Sequence, residues 1–215
     1  MQIMRKHARP LFLGGETRLT LGQRYHFVAG WLPWIADGLN LFFTLGAILW
    51  SVGMIGWPLW VDPPLAVFAI PPLILFLFKL AKLYYLYRYR VGANSRTSWQ
   101  AAFAGLSLSY IISRAMLTGM ITQKVPFLRT PKMKNRESWW FALLLVAEEA
   151  TIALALWICA LGVSTRQDFD TSDVKLWVFV LLVQSTPYLA AIVMSLISAQ
   201  PLEKRPADAP ASPVA

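Results

Sequence analysis

Charge, cysteine and histidine are all scarce in this chain. Asp, Glu, Lys and Arg make up 14% of its 215 residues, against roughly 25% in an average soluble protein. The sequence therefore lacks what an ordinary water-facing surface needs. A lone cysteine, Cys159 within an apolar run, excludes a disulfide framework and a cysteine-built metal site, and it leaves the redox compartment undetermined. The two histidines, His7 and His26, stand apart, and there is no Gly-rich phosphate loop, nucleophile elbow or HExxH. No self-contained catalytic constellation is present. Met1 to Phe12 does not read as a secretory signal either, because Arg5, Lys6 and Arg9 are followed by no apolar core with a small-residue cleavage site.

Apolar residues are abundant instead: 57% of the chain, with a mean hydropathy of +0.51. Four runs, at about 33–57, 64–87, 139–163 and 174–199, reach the roughly 20 residues with which a helix crosses about 30 Å of hydrocarbon. Helices also satisfy their own backbone groups in lipid. The expected fold class is an all-α membrane protein with four transmembrane helices. A fifth segment, 99–121, is long enough to cross, yet carries Gln100, Ser107, Arg114 and Thr118 as a polar stripe at helical spacing.

The basic residues decide how that segment is read. The net charge of +9 does not point to nucleic acid, because Lys and Arg flank the apolar runs instead of forming a basic domain. If 99–121 lies flat on the membrane, the amino terminus, the stretch from Arg88 to Arg136 and the tail share one side and hold sixteen of the 20 Lys and Arg. Lys79 and Lys82 sit at that same end of the second span, leaving only Arg166 and Lys175 outside. Cytoplasmic loops carry such an excess, and an arginine inside the membrane costs at least about 2.5 kcal/mol. The expectation is thus four spans with both termini cytoplasmic, an amphipathic interfacial helix at 99–121 and a basic loop at 122–138. Residues 1–31 form a cytoplasmic segment, 32–199 the membrane domain, and the Pro- and Ala-rich tail 200–215 is expected to be disordered.

Two apparent motifs are set aside. Asp168-Phe169-Asp170 spells the D-x-D with which sugar-nucleotide transferases hold a metal, but it falls in a short external loop, away from a cytosolic donor. Gln2-Ile3-Met4-Arg5 spells Q-x-x-R, but Lys6 follows where an acceptor-stacking Trp is required.

Two other stretches carry a resemblance. Met1-Gln2-Ile3-Met4-Arg5-Lys6-His7, then Leu19-Thr20-Leu21-Gly22-Gln23-Arg24-Tyr25 running into the first span, resemble the sequence after the Q-x-x-R-W motif of family 2 processive glycosyltransferases, of which cellulose synthase is one. Phe127-Leu128-Arg129-Thr130-Pro131-Lys132 is similar to that family's F-x-V-T-x-K gating loop. Arg129 stands where the cellulose branch has Val, which puts a cellulose product in doubt. The R-T-P-K form, with G-Q-R-Y-H-F-V-A-G-W-L-P-W before the first span, looks more like β-glucan synthases joined to a family 17 glycosidase-like domain.

The resemblance implies the membrane channel of a hexosyltransferase, cut off from its catalytic domain and inactive alone. Its partners would be that domain in the same polypeptide, a UDP-sugar, the growing glycan and the bilayer of a bacterial inner membrane. No cofactor is expected in this chain; a divalent cation such as Mg would belong to the catalytic domain. Phe127, Arg129, Thr130 and Lys132 would contact the UDP-sugar, Lys132 offering a mobile charge to the diphosphate and Thr130 a hydroxyl. Read from the residues alone, Lys124, Arg129, Lys132, Lys134 and Arg136 equally suit a topology signal facing anionic lipid. The competing function is a stand-alone four-span anchor, assembly factor or small transporter.

Ionisable groups within spans usually face a bundle interior or a wet cavity. Asp37, beside Asn40, lies near the inner end of the first run, and Glu148 and Glu149 lie about 13 Å into the third. They are candidates to line a channel, as are the deep aromatics Trp50 and Trp157. The other reading is a structural pair, Glu148 or Glu149 with Arg114. The remaining tryptophans, Trp177 among them, fit interfacial belts. Pro187, after Ser185 and Thr186, is expected to kink the last span.

Overall fold

A computed structural model describes residues 2–13, 19–122, 139–167 and 170–200. Among these the chain is helical throughout, with no strand: α1 (Gln2–Leu13), α2 (Leu21–Gly56), α3 (Ala66–Tyr85) with a π-helical turn (Leu86–Arg90), α4 (Ser95–Ser107), α5 (Ser109–Ile121), α6 (Trp139–Leu145), α7 (Ala147–Arg166) and α8 (Ser172–Ala199). Four of these are long and apolar enough to cross a membrane: α2, α3 with its π turn, α7 and α8. The protein is an all-α, multi-pass membrane protein.

Each expected run is largely helical, the third divided between two helices, and the boundaries differ for local reasons. α2 begins well before residue 33, because Thr20 and Gln23 form a reciprocal capping box at its amino end and the helix continues through Pro33. Its 36 residues make a rod about 54 Å long at about 1.5 Å per residue, well beyond the roughly 30 Å of hydrocarbon. The third run is broken at Val146, whose N–H bonds the Leu143 carbonyl at 3.2 Å instead of continuing the α pattern. That break moves Glu148 and Glu149 from the middle of a span to the first turn of α7. Free backbone N–H groups and the positive end of the helix dipole favour carboxylates there.

The segment expected as one interfacial helix, 99–121, is instead two helices meeting at Leu108 with a bend of 41°. Asn94 caps the first, its side chain accepting from the Thr97 N–H at 2.8 Å. The pair is docked firmly on the bundle: α5 packs on α2, and α4 packs on α8 and α3. Ser107, expected in an exposed stripe, is buried, whereas Arg114 is exposed. Helix α1, within the segment treated as a cytoplasmic lead-in, buries Leu11 and touches α5. The loop expected at 122–138, apart from Thr122, and the tail beyond Gln200 lie outside the described residues.

The core lies between α2, α7 and α8, where Met54, Leu156, Val163, Val180 and Leu181 are sealed from the surface. Small residues on α7, Ala153 and Ala160, bring it close to α8, the packing that suits helices in lipid. α8 stays one helix through Pro187. Proline removes the N–H that would bond the Val183 carbonyl, and the Thr186 hydroxyl donates to that carbonyl instead, at 2.7 Å. The expected kink is not a break, because the freed acceptor is satisfied within the same turn.

Candidate functional site

Polar side chains gather where α2, α3, α5, α7 and α8 meet. Asp37 of α2 is buried and forms an ion pair with Lys79 of α3. Lys79 also donates to the Ser109 hydroxyl at 2.7 Å. Ser113 on the next turn of α5 donates to the backbone carbonyl of Asp37 and to that of Ser109, each at 2.6 Å. One buried knot thus ties three helices together.

A second group centres on Glu148. Arg114 of α5 forms an ion pair with it, and the Tyr110 hydroxyl donates to the same oxygen at 2.8 Å. The two side chains of this pair are more than half exposed. Glu149, by contrast, is buried, and Arg114 already serves its neighbour. It lies within electrostatic reach of Arg114 and of Tyr188 on α8. Tyr188 is itself buried, its ring 6.2 Å from that of Tyr110.

The expected channel residues are therefore not all brought together. Asp37, Glu148 and Glu149 are placed around the amino-terminal half of α5, with Asp37 and Glu148 each holding a cation. Trp50 and Trp157 are about half exposed and lie at the periphery. The Trp50 indole N–H donates to the Asp62 carbonyl at 3.1 Å, and that of Trp157 to the Ser185 hydroxyl at 3.0 Å. Trp177 corrects the belt expectation: it is 6% exposed and donates to the Ser51 hydroxyl at 3.0 Å across the bundle. Trp34, Trp57, Trp60, Trp99, Trp139 and Trp140 are exposed, as belt residues are.

Phe127, Arg129, Thr130 and Lys132 lie outside the described residues, as do Asp168 and Phe169. Among the described residues no group of three or more His, Cys, Asp or Glu is placed to hold a metal ion.

Sequence reasoning missed Lys79 as the partner of Asp37, and it missed Gln184, which is 5% exposed on α8. A glutamine inside an otherwise apolar run was the available signal for the second. Compared with protein-family models, curated proteins and solved structures, the chain matches none.

Proposed function

We propose that this chain is the membrane part of a UDP-sugar-dependent β-glycan synthase of a bacterial inner membrane, with both termini cytoplasmic. In this reading a glycosyltransferase domain of the same polypeptide, with its divalent cation, builds a glycan that the helix bundle passes across the membrane. What supports the reading is the order along the chain: two spans, a docked helix pair, a basic stretch of sequence containing Phe127-Leu128-Arg129-Thr130-Pro131-Lys132, and two more spans. Lys132 and Thr130 suit the diphosphate and sugar of the donor, and a loop that closes on them excludes water during transfer.

The test compares Lys132→Ala and Thr130→Ala with Lys134→Ala in the full-length enzyme. Losing a charge-assisted or hydroxyl contact of roughly 1 to 3 kcal/mol lowers synthesis by about 5- to 150-fold for the first two, whereas Lys134→Ala stays near wild type. Equal activity of all three removes the gating role. A second reading, a stand-alone four-span anchor, assembly factor or small transporter, draws support from the pairing of Glu148 with Arg114, which gives these charges a structural task. An open reading frame upstream of Met1 encoding D-x-D and Q-x-x-R-W separates the two.

A further inference from the structure

From Pro63 to Arg136 the sequence contains no Asp or Glu, yet it sets Arg88, Arg90 and Arg96 in one short stretch. The structure places that stretch at a corner. α3 ends in the π-helical turn Leu86–Arg90, Gly92 turns the chain at a φ of 75°, and α4 starts at Ser95. Three contacts fix the corner. The Tyr84 and Ser95 hydroxyls bond at 3.1 Å, the Tyr84 ring lies 4.8 Å from that of Trp99, and Arg88 donates to the Ala93 carbonyl at 3.1 Å. All three arginines are exposed, and among the described residues none is paired with a carboxylate. Cations gathered on a fixed corner without counter-charges complement an anion.

Position selects which anion. α3 with its π turn is 25 residues long, about 37 Å at about 1.5 Å per residue, so a helix that fills roughly 30 Å of hydrocarbon carries its last turn into the headgroup layer. It is also the least buried of the four candidate spans. Ile74, Phe78 and Tyr85, exposed and at helical spacing, form one apolar stripe along it. The stripe leads to Tyr89, between Arg88 and Arg90, whose ring lies 4.8 Å from that of Tyr85. A ligand that fits both surfaces has a hydrocarbon chain for the stripe and a phosphate for the arginines. A soluble phosphate fits only the second.

We propose that the corner between α3 and α4 binds an anionic phospholipid, its phosphate at Arg88, Arg90 and Arg96 and one acyl chain along Ile74, Phe78 and Tyr85. Planar guanidinium groups offer paired N–H donors to phosphate oxygens, and tyrosine rings suit the boundary between headgroup and hydrocarbon. The site does not depend on whether the chain belongs to a synthase. A topology signal requires only a number of cations on one side of the membrane, whereas a lipid site requires these cations at this corner.

The experiment is native mass spectrometry of the purified 215-residue chain in detergent with equimolar phosphatidylglycerol and phosphatidylcholine of identical acyl chains. Wild type is expected to retain phosphatidylglycerol in preference, and rising salt to weaken that lipid alone. Arg90→Gln with Arg96→Gln, which leaves the bond from Arg88 to Ala93 in place, lowers the phosphatidylglycerol affinity by about 5- to 30-fold. Arg90→Lys with Arg96→Lys, which keeps the charge and loses the fork, lowers it less. Lys134→Gln with Arg136→Gln removes the same charge elsewhere in the acid-free stretch and leaves the affinity near wild type. Equal losses in the two glutamine doubles would mean diffuse attraction and overturn the site. Equal retention of the two lipids by wild type at low salt overturns it without any variant. Displacement of the lipid by UDP or inorganic phosphate would assign the corner to a soluble phosphate and overturn the lipid as its occupant.

Discussion

Lys79 reaches from α3 to the carboxylate of Asp37, making the one ion pair among the described residues whose two side chains are both less than a third exposed. It forms where α2 and α3 otherwise touch little, so a charge pair and the serines of α5 hold these two spans together. A buried pair costs most when half of it is removed, because the survivor is left charged without a partner. Asp37→Leu and Lys79→Met are each expected to destabilise the folded protein by about 3 kcal/mol, and the double substitution by less than either. Thermal unfolding in detergent measures this; additive losses would show that the pair acts as two independent charges.

The Arg114–Glu148 pair should behave differently. Both side chains are more than half exposed, and pairs in water contribute under about 1 kcal/mol. Arg114→Gln is therefore expected to shift stability by less than about 1 kcal/mol. A loss near that of Lys79→Met would mean that lipid tails, not water, surround the pair.

Two glycines of α2 separate packing from propensity. A Cβ on Gly38 would overlap the thioether end of Met116 on α5, while one on Gly46 would meet nothing within 4 Å. Gly46→Ala is expected to be neutral or to stabilise by up to about 1 kcal/mol, since glycine is the poorer helix former. Gly38→Val, which drives more bulk into the α2–α5 contact, is expected to cost about 1 to 3 kcal/mol. Comparing melting midpoints decides it, and Met116→Ala should relieve the Gly38→Val loss.

Topology is accessible to cysteine labelling, since the native Cys159 is buried. Cysteines at Asp62 and Asp170 are expected to react from outside, and those at Arg96 and Lys134 from inside. Reaction of Lys134→Cys only from outside would make the bent pair α4–α5 a crossing segment and reverse the last two spans.

The spans were legible because length and hydropathy are properties of short contiguous windows. The breaks at Leu108 and Val146 were not, since Leu-Ser-Leu-Ser and Leu-Leu-Val-Ala carry no proline or glycine to mark a stop. Glu148 with Arg114 was legible as one of two options, because intramembrane charges need partners. Asp37 with Lys79 was hidden by their separation of 42 positions along the chain. Trp177 was misplaced because a tryptophan near the end of an apolar run looks the same in sequence whether it faces headgroups or a serine on another helix. Pro187 signalled a kink, and only the hydroxyl of the preceding residue explains why the helix carries on.

The uninterrupted length of α2 has a mechanical consequence. No break divides Leu21 from Gly56, so the helix acts as a single stiff lever, with roughly 20 Å of its length more than the hydrocarbon layer can cover. The exposed rings of Tyr25, Phe27 and Trp34 give its protruding arm a grip, while the buried Asp37, Thr44 and Ser51 lie on the arm inside the bundle. A sideways displacement at the grip swings that inner arm against α8, and the hydrogen bond from Trp177 to Ser51 is the first to feel the torque.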